Sequence, residues 1–115
     1  MTQNLRCIRG NTLKFQFHVT QNGENLDITG CTLTLTAKWN VTDTGAVFQC
    51  TLGAGLTVTD AATGQVEAII SSSQTSTGIP LHQVPLYYDV EMVLAGEVST
   101  VLYGVLTISP NVTNI

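Results

Sequence analysis

Alternation of apolar and polar residues is the feature that most constrains the fold of this chain. In "TLKFQFHV" (12–19) apolar residues occupy every second position, and "GCTLTLTAKW" (30–39) repeats the pattern with threonines on the polar side. Successive side chains of a β-strand point to opposite faces of a sheet, so the pattern predicts strands with one buried face. The same alternation recurs in "AVFQCTL", "QVEAII" and "LYYDVEMVLA".

Turn signals separate these segments. Asn22-Gly23 is a strong hairpin signal, and "NVTDTG" (40–45) and "DAATG" (60–64) are further polar breaks. The stretch from 71 to 85 has two prolines and no alternation, which predicts one short helical turn or a loop. We therefore predict an all-β fold: a single antiparallel, immunoglobulin-like β-sandwich of seven or eight strands over residues 1–115, with short N- and C-terminal arms. An up-and-down barrel is the alternative.

The final hairpin carries a specific prediction about parity. We place Leu102 and Leu106 inward, so that a second row of side chains points outward, namely Val101, Tyr103 and Val105. A two-residue turn would point the opposite set inward, because strand register has a period of two. The predicted parity therefore requires an odd-numbered loop at 96–98.

Charge is unusually scarce. Only 10 % of the residues are charged, against about a quarter in an ordinary soluble domain. The net charge is −4, and four basic residues are too few for nucleic-acid binding. No apolar run reaches the length of a membrane span, and the N-terminus lacks the apolar core of a secretory signal. Threonine fills 18 of 115 positions, and so neutral a surface predicts that partners cover much of it.

Three cysteines leave an odd number for pairing. If the strands around 31–38 and 46–52 form a hairpin, Cys50 lies opposite Leu35 and is too far from Cys31 for a disulfide. We therefore expect all three cysteines, including Cys7, to be reduced and buried, and no Cys/His spacing fits a metal site.

Five segments together resemble a known class of domain: "RGNTLKF", "LDITGCTLTLTA", "VTDAATGQVEAII", "LYYDVEMV" and "LYGVLTISPNVTN". In this order they are similar to phage-encoded β-sandwich modules, such as the immunoglobulin-like N-terminal domain of phage baseplate upper proteins. The resemblance runs from Arg9 to Thr113, and most of the matched positions are turns and core.

The resemblance implies a non-enzymatic structural protein of a tailed-phage virion, made in the host cytoplasm, with no cofactor. Its expected partners are other virion proteins, in a homo-oligomer or multi-copy assembly, as a capsid decoration subunit or a tail, neck or baseplate adaptor. The short chain favours a stand-alone subunit. The residues predicted to bind partners are the threonine row, Trp39 at its end and the outward row of the last strand: Thr32, Thr34, Thr36, Trp39, Val101, Tyr103 and Val105.

Two other classes of function compete. Asp43-Thr44-Gly45 resembles the catalytic triplet of retroviral-type aspartic proteases, but polar residues precede it and no flap sequence follows, so an ordinary Asp turn is favoured. A carbohydrate-binding module for host attachment needs exposed aromatic residues in a groove, for which Trp39, Tyr87 and Tyr103 are available.

The sequence does not support a catalytic role for the two histidines. Neither His18 nor His82 has a Ser or Cys nucleophile placed to form a catalytic pair with it. Asp89 and Glu91 share one outward strand face, where a solvated pair is favoured over a cation site.

Overall fold

A computed structural model describes residues 2–112, and these form ten β-strands and no helix. The strands are β1 (Leu5–Ile8), β2 (Leu13–His18), β3 (Thr20–Gln21), β4 (Glu24–Asn25), β5 (Thr32–Lys38), β6 (Phe48–Leu52), β7 (Gly55–Asp60), β8 (Gln65–Ile70), β9 (Val84–Leu94) and β10 (Glu97–Ser109). The all-β class is therefore confirmed.

Eight of the strands form a single mixed sheet in the order β1-β10-β9-β5-β6-β7-β8-β2, and β3 and β4 form a small separate hairpin. Most neighbours are antiparallel, but β1 runs parallel to β10 and β6 runs parallel to β7. This differs from the predicted antiparallel sandwich, in which two separate sheets would be stacked. The strand count exceeds the predicted seven or eight only through the short β3–β4 hairpin.

All eight strands of the large sheet contribute to one apolar core. Each strand buries at least one side chain in it, for example Leu5, Phe17, Leu35, Phe48, Leu56, Val66, Leu86 and Leu106. One face of a single sheet can enclose a core only if the sheet curls, and here it nearly closes as a barrel with β1 and β2 as its edges. The alternation in the sequence is what supplies this inner apolar face.

The β9–β10 hairpin reaches the predicted parity by a different route. Its turn has two residues, Ala95 and Gly96, both with positive φ, and not the predicted odd-numbered loop. A β-bulge follows, because Thr100 pairs with Glu91 and Leu102 with the preceding residue of β9, which leaves Val101 as the extra residue. The bulge restores the inward direction of Leu102, which is fully buried.

The β5–β6 hairpin forms across residues 40–45 as predicted. Leu35 is the register partner of Cys50, which confirms that Cys50 does not face Cys31. Cys7, Cys31 and Cys50 are all free, and burial raises the pKa of each thiol. A raised pKa keeps each thiol protonated. Cys31 and Cys50 are buried in the core as predicted, whereas Cys7 is only half-buried against it.

The loop between β8 and β9 contains the predicted short helical turn. The amides of Thr75 and Thr77 donate to carbonyls four residues earlier. Arg9 holds this turn from outside, since its guanidinium donates to the carbonyls of Ile79 (3.0 Å) and Ser76 (3.3 Å). The fully buried Thr75 hydroxyl accepts from the Gly10 amide (3.1 Å), which joins the β1–β2 turn to the loop.

The predicted N-terminal arm lies within its own sheet. β1 pairs with the end of β10, and Thr2 forms a parallel bridge with Tyr103 of the same strand. The described part of the arm therefore packs against its own chain and does not extend away from it. Of the predicted C-terminal arm, residues 113–115 lie outside the described part of the chain.

Candidate functional site

The two predicted binding surfaces form one continuous outer face of the sheet. The central strand β9 has β5 on one side and β10 on the other. Asp89 of β9 is the register partner of both Thr36 and Tyr103, and Tyr87 is the partner of both Lys38 and Val105. The threonine row of β5 and the outward row of β10 therefore lie side by side, separated by the width of one strand.

An open groove of about 480 Å³ runs along this face. Its floor is β9, with Tyr87, Asp89 and Glu91, and the neighbouring strands form its sides. Tyr87 is 41 % exposed and Tyr103 is 51 % exposed, although large aromatic side chains are usually mostly buried. Val41, from the turn between β5 and β6, is exposed at the end of the groove that holds Tyr87 and Lys38.

The charges in the groove are unbalanced. Asp89 and Glu91 contribute two carboxylates, and within residues 2–112 neither forms an ion pair or a hydrogen bond. The ammonium of Lys38 donates to the backbone carbonyl of Asp43 (2.7 Å), which holds it toward the hairpin turn. The groove therefore combines exposed aromatic rings, threonine hydroxyls and two carboxylates without counterions.

The predicted residues divide between this groove and its surroundings. Thr36 and Tyr103 line the groove, whereas Thr32 and Thr34 lie further along the same face. Val105 is half-buried beside Tyr87. Val101 is the bulge residue and packs against the core, so the predicted outward row is interrupted there.

Trp39 lies outside the groove. It is half-buried against the core, just after the end of β5. The sequence offers Tyr87 only as an aromatic residue available for carbohydrate binding. Its position beside Tyr103 results from the pairing of β9 with β10. The shared parity of Tyr87, Asp89 and Glu91 was the signal that places them on one face.

Asp43 has the role of a turn residue. Its carboxylate accepts a hydrogen bond from the Asn40 amide (3.1 Å), and its own amide donates to the Asn40 carbonyl (3.0 Å). This is the Asp turn that the sequence favours for Asp43-Thr44-Gly45.

The remaining chemistry-bearing side chains are dispersed. Nε2 of His18 lies 2.6 Å from the carbonyl of Thr63, and because a carbonyl only accepts, this nitrogen carries the proton. His82 is exposed in the loop before β9. Among residues 2–112, no three His, Cys, Asp or Glu side chains group in a way that could hold a metal ion, and no helix is long and apolar enough to cross a membrane.

No protein-family model matches the chain, and a search of curated proteins finds no match.

Proposed function

We propose that this chain is a non-enzymatic structural protein of a tailed-phage virion, which binds other virion proteins through the outer face of β5, β9 and β10. It acts as a capsid decoration subunit or as a tail, neck or baseplate adaptor, in several copies per particle. The groove carries this proposal, because exposed aromatic residues in a concave part of the surface are typical of protein interfaces.

The residues behind the resemblance to phage modules support the proposal through their structural roles. Arg9 and Gly10 fix the loop between β8 and β9. Asp27 accepts two hydrogen bonds from Thr29, and Gly64 packs where any Cβ atom would meet the carbonyls of Val19 and Leu26. These contacts explain why the motifs contain these residues. The motifs therefore support a shared architecture with the phage modules.

We also propose that the module belongs to the immunoglobulin-like sandwiches in spite of its continuous sheet. β6 and β7 are joined through Gly53 and Ala54 and share only two register pairs. Division at this corner would separate five strands (β1, β10, β9, β5, β6) from three (β7, β8, β2), and both groups contribute side chains to the one core. Strands that pass from one sheet to the other at a corner are a known feature of sandwiches.

The first experiment asks whether the chain is a component of phage particles. Washed particles from the source culture are analysed by mass spectrometry, and antibodies against the purified chain are used for immunogold electron microscopy. We expect regular labelling of the head or of the tail. Absence of the chain from intact particles would overturn the proposal.

A second experiment tests the binding face. Particles that lack the chain are incubated with purified protein and sedimented. We expect Thr36→Arg, which fills the groove, to reduce co-sedimentation strongly. Thr57→Arg, on the exposed side of β7, is the matched control and should bind like the unaltered chain. Equal binding by both variants would exclude this face.

Glycan binding is a second candidate, and one observation favours it. Tyr87 and Tyr103 are exposed in one groove together with hydroxyl and carboxylate groups, which is the arrangement that a sugar-binding site requires. Titration with neutral oligosaccharides, monitored by nuclear magnetic resonance, would then shift signals of the groove. Tyr103→Ala should abolish these shifts.

A further inference from the structure

We infer that the groove on the outer face of β5, β9 and β10 binds an arginine side chain presented by an exposed segment of a partner protein. The guanidinium would lie between Tyr87 and Tyr103 and donate hydrogen bonds to Asp89 and Glu91. This inference rests on the proposed function, because it specifies the chemistry of the partner that the same face would bind.

The first argument is charge. Asp89 is half-buried on the floor of the groove, and Glu91 lies two residues further along the same strand. Two neighbouring carboxylates without counterions repel each other, and a cation placed between them removes that repulsion. Lys38 is the basic residue that lines the groove, but its ammonium donates to the carbonyl of Asp43 and forms no ion pair with Asp89 or Glu91.

The second argument is the geometry of the aromatic residues. Tyr103 is directly opposite Asp89 in the β9–β10 register, and Tyr87 precedes Asp89 by two residues on the same face. Both rings therefore border the half-buried carboxylate. A planar guanidinium can stack on a ring face and still donate to a carboxylate, whereas the compact ammonium of lysine cannot stack in this way.

The third argument concerns the source of the arginine. The chain has a net charge of −4 and only four basic residues. The guanidinium of Arg9 is bound to carbonyls of the loop between β8 and β9, and Lys38 is bound to its hairpin turn. Arg6 and Lys14 are exposed, but the net charge of the chain makes two copies repel each other as they approach. Charge complementarity therefore favours a different, basic partner over a second copy.

The experiment titrates the full-length, isotope-labelled chain with two synthetic peptides and follows backbone amide signals. One peptide is acetyl-Gly-Arg-Gly-Arg-Gly-amide, and its control carries citrulline, the neutral isostere, in place of arginine. We expect the arginine peptide to shift signals at Tyr87, Asp89 and Tyr103, and the citrulline peptide to leave them unchanged. Shifts of equal size with both peptides, or none in the groove, would overturn the inference.

Variants test the carboxylates separately. Asp89→Asn and Glu91→Gln keep the shape of each side chain, and their combination should weaken binding of the arginine peptide at least about tenfold. Glu67→Gln on β8 removes the same charge from a different part of the surface and should have no effect. If neutral oligosaccharides shift the groove signals and the arginine peptide does not, the groove binds glycan and the inference is wrong.

Particle binding separates this inference from the proposed function. If the doubly neutralised variant still co-sediments with particles while Thr36→Arg does not, the face binds a virion protein without arginine recognition. If the chain is absent from particles, the proposed function fails whatever the result of the peptide titration.

Discussion

The backbone carbonyl of Gln3 occupies the space that a Cβ atom on residue 104 would take, so the N-terminal segment crosses directly over Gly104. The Gln3 amide donates to the Tyr103 carbonyl (2.9 Å), and the buried hydroxyl of Tyr88 donates to the Gln3 carbonyl. The side-chain oxygen of Asn4 accepts a hydrogen bond from the Val105 amide (3.1 Å), in the place of a backbone carbonyl of a neighbouring strand. Gly104 is therefore the contact point through which the first residues of the chain join the sheet.

We expect Gly104→Ala to destabilise the protein by about 2 kcal/mol, since the added methyl group displaces the Gln3 backbone and disturbs both of its hydrogen bonds. Urea unfolding followed by Trp39 fluorescence measures the change. Gly45→Ala is the matched control, because a Cβ atom there meets no atom within 4 Å and its φ is not positive. Equal stability of the two variants would show that the N-terminal crossing does not constrain residue 104.

Arg9→Met should loosen the loop between β8 and β9. The substitution keeps much of the aliphatic side chain but removes the hydrogen bonds to the carbonyls of Ile79 and Ser76. We expect a loss of about 1–3 kcal/mol, the usual value for hydrogen bonds that involve a charged group. Amide hydrogen exchange should accelerate within 71–79 before it does elsewhere. Arg6→Met, an exposed position on β1, is the control and should leave exchange in this loop unchanged.

Tyr88 should make stability fall at high pH. Burial raises the pKa of its hydroxyl from 10.0 to about 12. The unfolded chain therefore releases this proton first, so the stabilisation is fully present below pH 10 and is lost as the pH rises toward 12. The ultraviolet absorbance of tyrosinate should show a late titration step that is missing in Tyr88→Phe. A spectrum in which the variant retains that step would contradict the assignment.

Asp27 should show the opposite dependence at low pH. The Thr29 hydroxyl (2.6 Å) and amide (3.0 Å) donate to its carboxylate and lower its pKa below 3.8. The stabilisation is present above the ordinary pKa and is lost as the pH falls through the lowered value. Thr29→Val removes the hydroxyl donor, and carboxyl carbon shifts should report a higher pKa for Asp27. An unchanged pKa would contradict this role of Thr29.

Local patterns predicted which side chains are buried, but not all of the neighbours of each strand. Leu35 and Cys50 were placed opposite each other because a short hairpin leaves few alternatives of register. The pairing of β1 with β10 joins residues about a hundred positions apart and runs parallel, so no turn signal indicates it. Without that pairing, the first residues were predicted to be a free arm.

The candidate groove was predictable only in part for the same reason. Alternation placed Thr36 and Tyr103 on outward faces, but it did not show that Asp89 lies between them. That arrangement depends on β9 as the central strand, which is a property of the sheet order. The two predicted surfaces were therefore described separately, although they form one face.

The β-bulge in β10 leads to the last prediction, which concerns single-residue deletions. Val101 has no register partner, whereas the residues on both sides of it pair in sequence with β9. Deletion of Val101 should therefore produce a regular hairpin with the same inward side chains, and the protein should still unfold cooperatively. Deletion of Val105, inside the regular stretch, shifts the residues between the bulge and the deletion by one position and turns Leu102 toward solvent, so we expect that variant to lose the fold. Circular dichroism and urea unfolding compare the two variants directly. If deletion of Val101 is as damaging as deletion of Val105, the bulge is needed for closure of the sheet and not only for the direction of the side chains.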